Sequence, residues 1–284
     1  MGQPRHRVES ALGSARAAGR PSLVTYVTAG VRADWTGLLA AMIDAGADAV
    51  EIGLPFSDPM LDGPVIQQAS DTAISRGTNI TAILAELRRA RPRAGRDGEV
   101  PLIAMSYAHH ACSRGITRYC GQLAEAGFSG TIIPDLPAGE AGGYLAASAA
   151  AGLDATLMVT PATPPAQMRA IAGLTRGFLY VMSVMATTGS ASERDDERRW
   201  GLAARALAAV AEERGEKTVG EKQGPRPVLI GFGIDTPARA AAAVRHADGV
   251  IVASALMRRV LDGAAPADIG REVGALRAAI DAAR

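Results

Sequence analysis

Excess charge of either sign, cysteine, aromatic side chains and long apolar runs are all scarce in this chain of 284 residues. The 30 basic and 29 acidic residues leave a formal net charge of +1, which provides no electrostatic footprint for DNA or RNA. Aromatics make up only 4% of the chain, too few for a base-stacking surface, so nucleic acid is not an expected partner. The two cysteines, Cys112 and Cys120, cannot build a disulfide framework and form no CxxC pair for metal. Such sparing use of cysteine suits a reducing, cytoplasmic home. The four histidines (His6, His109, His110 and His246) show no ligand spacing, and no metal site is expected. No apolar run approaches the roughly 18 residues of a membrane span. Residues 1–20 carry Arg and Ser without an apolar core, and they read as an amphipathic leading helix and not as a secretory signal.

What is present suits a packed α/β protein. Hydrophobic residues reach 48% and charged residues 21%, enough to fill a sizeable core. The length fits two ordinary domains or one α/β barrel. Short continuous apolar runs occur at 23–29, 49–55, 101–107, 130–135, 155–160, 178–184, 227–232 and 249–254. Runs without polar alternation are expected of parallel strands covered on both faces. Helical stretches such as "WTGLLAAMIDA", "TAILAELRRARPR" and "PARAAAAVRHA" lie between them. A joint also recurs: "DAGADAVEIG", "EAGFSGTIIPD" and "AAGLDATLMV" each end a helix at a glycine (46, 127, 152) and restart a strand, and "RHADGVIVAS" is a looser copy. Eight strands, each with a following helix, favour a single (β/α)8 barrel domain over 1–284, ahead of a doubly wound open sheet. The polar stretches 91–101 and 213–227 follow helices and precede strands, and are expected to be surface loops on the face opposite the chemistry.

Catalytic groups of such barrels sit at C-terminal strand ends. That places Glu51, Asp62, Asp135, Tyr107, Tyr180 and Ser183 around one mouth. Glu51 lies in the apolar run "AVEIGLP" with no basic residue beside it in that strand. Either a buried Arg or a backbone donor neutralises it, or it is a carboxyl poised to exchange a proton near neutral pH. Asp62, before Gly63, and Asp58, before Pro59, both admit a plain turn reading. "IGFGIDTP" (230–237) and the run "VASA" (252–255) sit after the last two strands, where barrels often bind phosphate; Gly231 and Gly233 would let backbone amides approach an anion. "SVMATTGSASERDD" (183–196) is long and rich in small polar residues, suiting a lid over substrate or a plain flexible loop.

"EIGLPFSDPMLDGPVIQ" (51–67), together with "YVTAG" (26–30), "IIPDLP" (132–137), "GFGI" (231–234) and "SA" (254–255), resembles the α subunit family of tryptophan synthase over most of the chain. The resemblance implies retro-aldol cleavage of indole-3-glycerol phosphate to indole and glyceraldehyde 3-phosphate, with no metal or organic cofactor. It implies Glu51 as the acid and base, and Asp62 as the holder of the indole N–H. Tyr26, Tyr107, Tyr180, Thr188 and Phe232 would line the pocket, with Thr188 reaching Asp62 when the lid shuts. Gly189, Gly233, Ala253 and Ser254 would bind phosphate. The implied partner is a pyridoxal-phosphate β subunit.

Departures from the family pattern occur in four places. Leu61 stands where the family commonly has Ala, "AHH" (108–110) where it has Tyr-Asn-Pro or a variant, and "VMATTG" (184–189) where it has an arginine and a further glycine. Ala253 replaces a glycine, which matters only if that position needs a positive φ. Both carboxylates remain. The expectation is retained cleavage with altered partner coupling, in a conventional subunit or in a stand-alone indole-releasing lyase; a silent activator of the β subunit is a further reading. A class I aldolase is disfavoured, because Lys217 and Lys222 are the only lysines and neither lies on a strand run.

Overall fold

The computed structural model describes residues 7–90, 100–182, 193–215, 226–231 and 233–283. Eight strands occur: β1 (Ser22–Thr28), β2 (Ala49–Gly53), β3 (Leu102–Met105), β4 (Gly130–Ile132), β5 (Asp154–Val159), β6 (Leu179–Met182), β7 (Val228–Gly231) and β8 (Gly249–Val252). They close in sequence order into one barrel, all pairs parallel, with β8 returning to β1. Twelve helices accompany them among the described residues: α1 (Arg7–Ala17), α2 (Trp35–Asp44), α3 (Pro64–Ser75), α4 (Ile80–Ala90), α5 (Ala108–Arg114), α6 (Ile116–Glu125), α7 (Gly142–Ala150), α8 (Pro165–Leu174), α9 (Glu193–Gly215), α10 (Pro237–Ala243), α11 (Ser254–Leu261) and α12 (Pro266–Asp281). This is the expected (β/α)8 barrel with extra helices. Every residue of β1, β2, β7 and β8 is buried, the reason those runs lack polar alternation.

Six of the strands are shorter than their apolar runs, chiefly at their C-terminal ends, while β1 and β5 keep the length of theirs. Ladder pairing stops at Gly53, Met105 and Ile132, and the remaining apolar residues leave the sheet to build the mouth. Two expected loops are partly helical. Residues 193–196 open α9, and 213–215 close it. Gly46, Gly127 and Gly152 all take positive φ (101°, 94° and 73°), so the recurring joint is a left-handed turn that sends each helix back into a strand.

That joint has a second function. The residue before the strand clasps its neighbour: Asp48 Oδ2 accepts the Leu23 N–H at 2.8 Å, and Asp248 Oδ2 accepts the Val228 N–H at 2.9 Å. The matching Asp154 instead receives the N–H groups of Val8 and Glu9, fastening α1 across the bottom of the barrel. Val8 and Leu12 of α1 then pack with Val24, Ala49, Ile103, Leu229 and Ile251 and fill the N-terminal end. Asp48 also binds Arg20 and Arg277. Replacing Asp48 by Ala leaves the Leu23 amide without its acceptor and strips one acceptor from the largely buried Arg277 guanidinium, and is expected to cost about 2 kcal/mol. Urea denaturation with an unchanged m-value is the check.

Candidate active site

Glu51 sits mid-strand on β2, between Val50 and Ile52. Side chains alternate along a strand, so Ala49, Glu51 and Gly53 share the face turned into the barrel. Glu51 is 1% exposed, its Oε1 has no hydrogen-bond partner, and it forms no ion pair among the described residues. Burial, reinforced by the charge of Asp62, raises its pKa from 4.5 to about 8. Of the two readings open for this residue, the geometry supports the proton-exchanging carboxyl.

Two tyrosines flank it within the barrel. Tyr26 of β1 pairs in register with Glu51. Its ring covers Gly53, and its hydroxyl receives the Thr28 hydroxyl at 3.3 Å. Tyr180 of β6 covers Gly231 on β7 in the same way. Both glycines are needed for space: a Cβ at either would strike the tyrosine ring. Burial raises both phenols well above their ordinary range, with Asp62 the next cause for Tyr26 and Glu51 for Tyr180. Each therefore stays a neutral hydroxyl at working pH.

Asp62 lies on the loop between β2 and α3. Four hydrogen bonds tie Leu61 and Asp62 into that loop. Asp62 N–H donates to the Pro59 carbonyl at 3.0 Å, and Gln67 Nε2 donates to the Asp62 carbonyl at 3.0 Å. The Tyr107 hydroxyl accepts the Leu61 N–H and donates to Asp62 Oδ2, both at 3.1 Å. Burial lifts the Asp62 pKa to about 6, and the Tyr107 bond opposes that rise. Leu61 thus contributes its amide to the site, while its side chain is 36% exposed beside Met60, which is 74% exposed.

Asp135, expected at the mouth, is exposed and accepts the Ala108 N–H at 2.8 Å, capping α5. Gly233 has φ +76°, a left-handed conformation that explains glycine there. Ala253 has φ −116°, so alanine is unstrained at the start of α11, where Ser254 is the first helical residue. The structure therefore brings Glu51, Asp62, Tyr26, Tyr107 and Tyr180 to one mouth. Thr188, Gly189 and Phe232, with Ser183 and the rest of the expected lid to residue 192, lie outside the described residues. Sequence reading assigns no role to Phe56, Gln67 or Thr28. Phe56 and Gln67 lie inside the quoted 51–67 stretch, but only the folded loop shows what they touch. Among the described residues no group of three His, Cys, Asp or Glu side chains could hold a metal ion, and no helix is long and apolar enough to cross a membrane.

A buried carboxyl with its pKa raised to about 8, inside a closed eight-strand parallel barrel and beside a second carboxyl, is the arrangement of a barrel enzyme. The family model described as tryptophan synthase alpha chain matches residues 12–277. The tryptophan synthase alpha chain of Geobacter sulfurreducens is 38% identical, over 92% of this chain and 94% of that one. That of Streptomyces coelicolor is 35% identical, over 96% and 94%. The crystal structure of tryptophan synthase subunit alpha from Legionella pneumophila superposes with a TM-score of 0.79 at 30% identity, covering 97% of this chain and 98% of that one. The chain belongs to the tryptophan synthase alpha chain family, and is a carbon–carbon lyase.

Proposed function

We propose that the chain, acting as one barrel domain in the cytoplasm, cleaves indole-3-glycerol phosphate to indole and glyceraldehyde 3-phosphate with Glu51 and Asp62 as its working pair. The observation that carries the assignment of roles is the buried Glu51, whose Oε1 has no hydrogen-bond partner among the described residues and whose pKa burial raises to about 8. Its carboxyl gives a proton to indole C3, producing a positive ring. Asp62, ionised, accepts the ring N–H and offsets that charge. The carboxylate left on Glu51 then takes the 3′-hydroxyl proton as the bond from C3 to the glycerol chain breaks. The bonding pair returns to the ring, the aldehyde forms, and Glu51 ends with the proton it began with. Tyr26, Tyr107 and Tyr180 wall the indole. Gly233, Ala253 and Ser254 offer backbone amides to the phosphate at the mouth between β7 and β8. By family likeness, Gly189 belongs with the phosphate groups, and Thr188 and Phe232 with the indole pocket.

This division of labour predicts a bell-shaped pH dependence of kcat/KM. Asp62 must be ionised, so the rate rises as pH passes about 6; Glu51 must begin protonated, so it falls as pH passes about 8. A profile still climbing at pH 9 would remove Glu51 from the role of starting acid.

A β subunit of tryptophan synthase is the proposed partner. Indole release from indole-3-glycerol phosphate, measured for the purified chain alone and titrated with a β subunit, tests the reading. Mutual activation supports a conventional coupled subunit, full activity alone supports a stand-alone lyase, and inactivity in both settings sinks the proposed reaction.

A further inference from the structure

The loop that carries Asp62 is braced by an aromatic cluster with no part in the proton transfers above. Phe56 stacks on Tyr107 with ring centroids 5.0 Å apart and an interplanar angle of 20°. His110 meets Phe56 edge-on at 5.2 Å and 79°, and His109 lies tilted at 5.8 Å. Offset-stacked and edge-to-face arrangements are the favoured geometries of aromatic pairs. The platform beneath is fixed. Leu54 N–H bonds the Met105 carbonyl at 2.8 Å just before Phe56, and His110 N–H bonds the Tyr107 carbonyl at 3.0 Å. Asp135 holds the first amide of α5. The loop thus closes on the β3–α5 junction at two points: the Phe56 ring on the Tyr107 ring, and the Leu61–Asp62 backbone and carboxylate around the Tyr107 hydroxyl.

We infer that Phe56, held against Tyr107 by the His109–His110 pair, is a positioning residue for Asp62. A phenol hydroxyl can hold Asp62 only while its ring stays in one orientation, and the stacked Phe56 face restricts that ring. The histidines suit the task. Burial, with His109 and Arg114 close by and Asp135 opposing them, lowers the His110 pKa to about 4, so a neutral ring packs on Phe56 with no buried charge. This places the "AHH" departure inside the machinery that aims Asp62. The inference rests on the role proposed for Asp62, but it can be tested apart from it.

The measurement is the carboxyl pKa of Asp62 by NMR in the substrate-free, full-length protein, for wild type, Phe56→Leu, Phe56→Tyr, Tyr107→Phe and Phe56→Leu/Tyr107→Phe. The Tyr107 bond depresses that pKa, so Tyr107→Phe raises it. Phe56→Leu is expected to raise it in the same direction, Phe56→Tyr to keep the wild-type value, and the double variant to match Tyr107→Phe alone. In indole release, Phe56→Leu is expected to lower kcat/KM about tenfold in the wild-type background and not at all in the Tyr107→Phe background. An unmoved Asp62 pKa in Phe56→Leu, or losses that multiply in the double variant, overturn the inference. Loss of indole release in the wild type would instead strike the proposed reaction, leaving the NMR comparison to decide the brace.

Discussion

Glu51→Gln abolishes indole release and yet makes the folded chain harder to unfold in alkali. The first half follows from the proton path: an amide neither gives a proton to indole C3 nor takes one from the 3′-hydroxyl, and loss of a general acid–base group removes roughly 10²–10⁴-fold in rate. The second half follows from linkage. Folding lifts the Glu51 pKa from 4.5 to about 8, so the folded state binds the proton more tightly than the unfolded one. Its contribution is fully present below 4.5, falls as pH rises through that window, and levels off above about 8. At pH 7 the wild type has lost on the order of 3 kcal/mol in this way. The substituted glutamine is neutral at every pH and takes no part in that loss. The gap in Tm between variant and wild type should therefore widen by roughly 5–10 °C from pH 5 to pH 8. A gap that stays flat across that range would mean that Glu51 does not hold its proton in the folded state. Greater stability with lost activity is the expected mark of a group kept for chemistry at a cost to folding.

Much of this site is legible in the chain because its features are local. Strands buried on both faces are continuous apolar runs, and the helix-ending glycines repeat. Glu51 stands out because a carboxyl inside such a run has no local partner. What is not legible depends on contacts across distant segments. Phe56 and Tyr107 are far apart in the chain, and nothing in either neighbourhood says that their rings meet. Asp135 is placed at the mouth by its position after β4, but that α5 begins beside it and its carboxylate accepts an α5 amide is seen only in the fold. Apolar runs overstate the strand ends because burial continues past the ladder: Tyr107 and Leu54 are as buried as strand residues while serving the mouth. Leu61 reads as an anomaly of side chain, yet it enters the site through its backbone N–H, which any residue but proline supplies.

Gly53→Ala is the smallest substitution expected to damage both fold and function. The new methyl would point into the barrel and strike the Tyr26 hydroxyl and the ring edge behind it, with Cε2 at 2.9 Å. Gly53 cannot retreat. It pairs with Thr28 on one side and Met105 on the other, and its carbonyl holds the Ala29 N–H at 3.0 Å. Tyr26 has little room either, being 4% exposed and bonded to Thr28. Forcing a methyl into such a core costs about 1–3 kcal/mol. The tyrosine has to tilt along the strand pair that carries Glu51, so the wall of the proposed indole pocket shifts, and kcat/KM should fall by at least about tenfold. The cause can be isolated with a double-mutant cycle. In a Tyr26→Leu background the obstructing ring is gone, and Gly53→Ala should cost less than about 0.5 kcal/mol, giving a coupling energy of about 1–2 kcal/mol between the two positions. Equal costs in both backgrounds would show that Gly53 is required for its backbone and not for the room it leaves Tyr26. The φ of Gly53 is outside the left-handed region, which favours the argument from space.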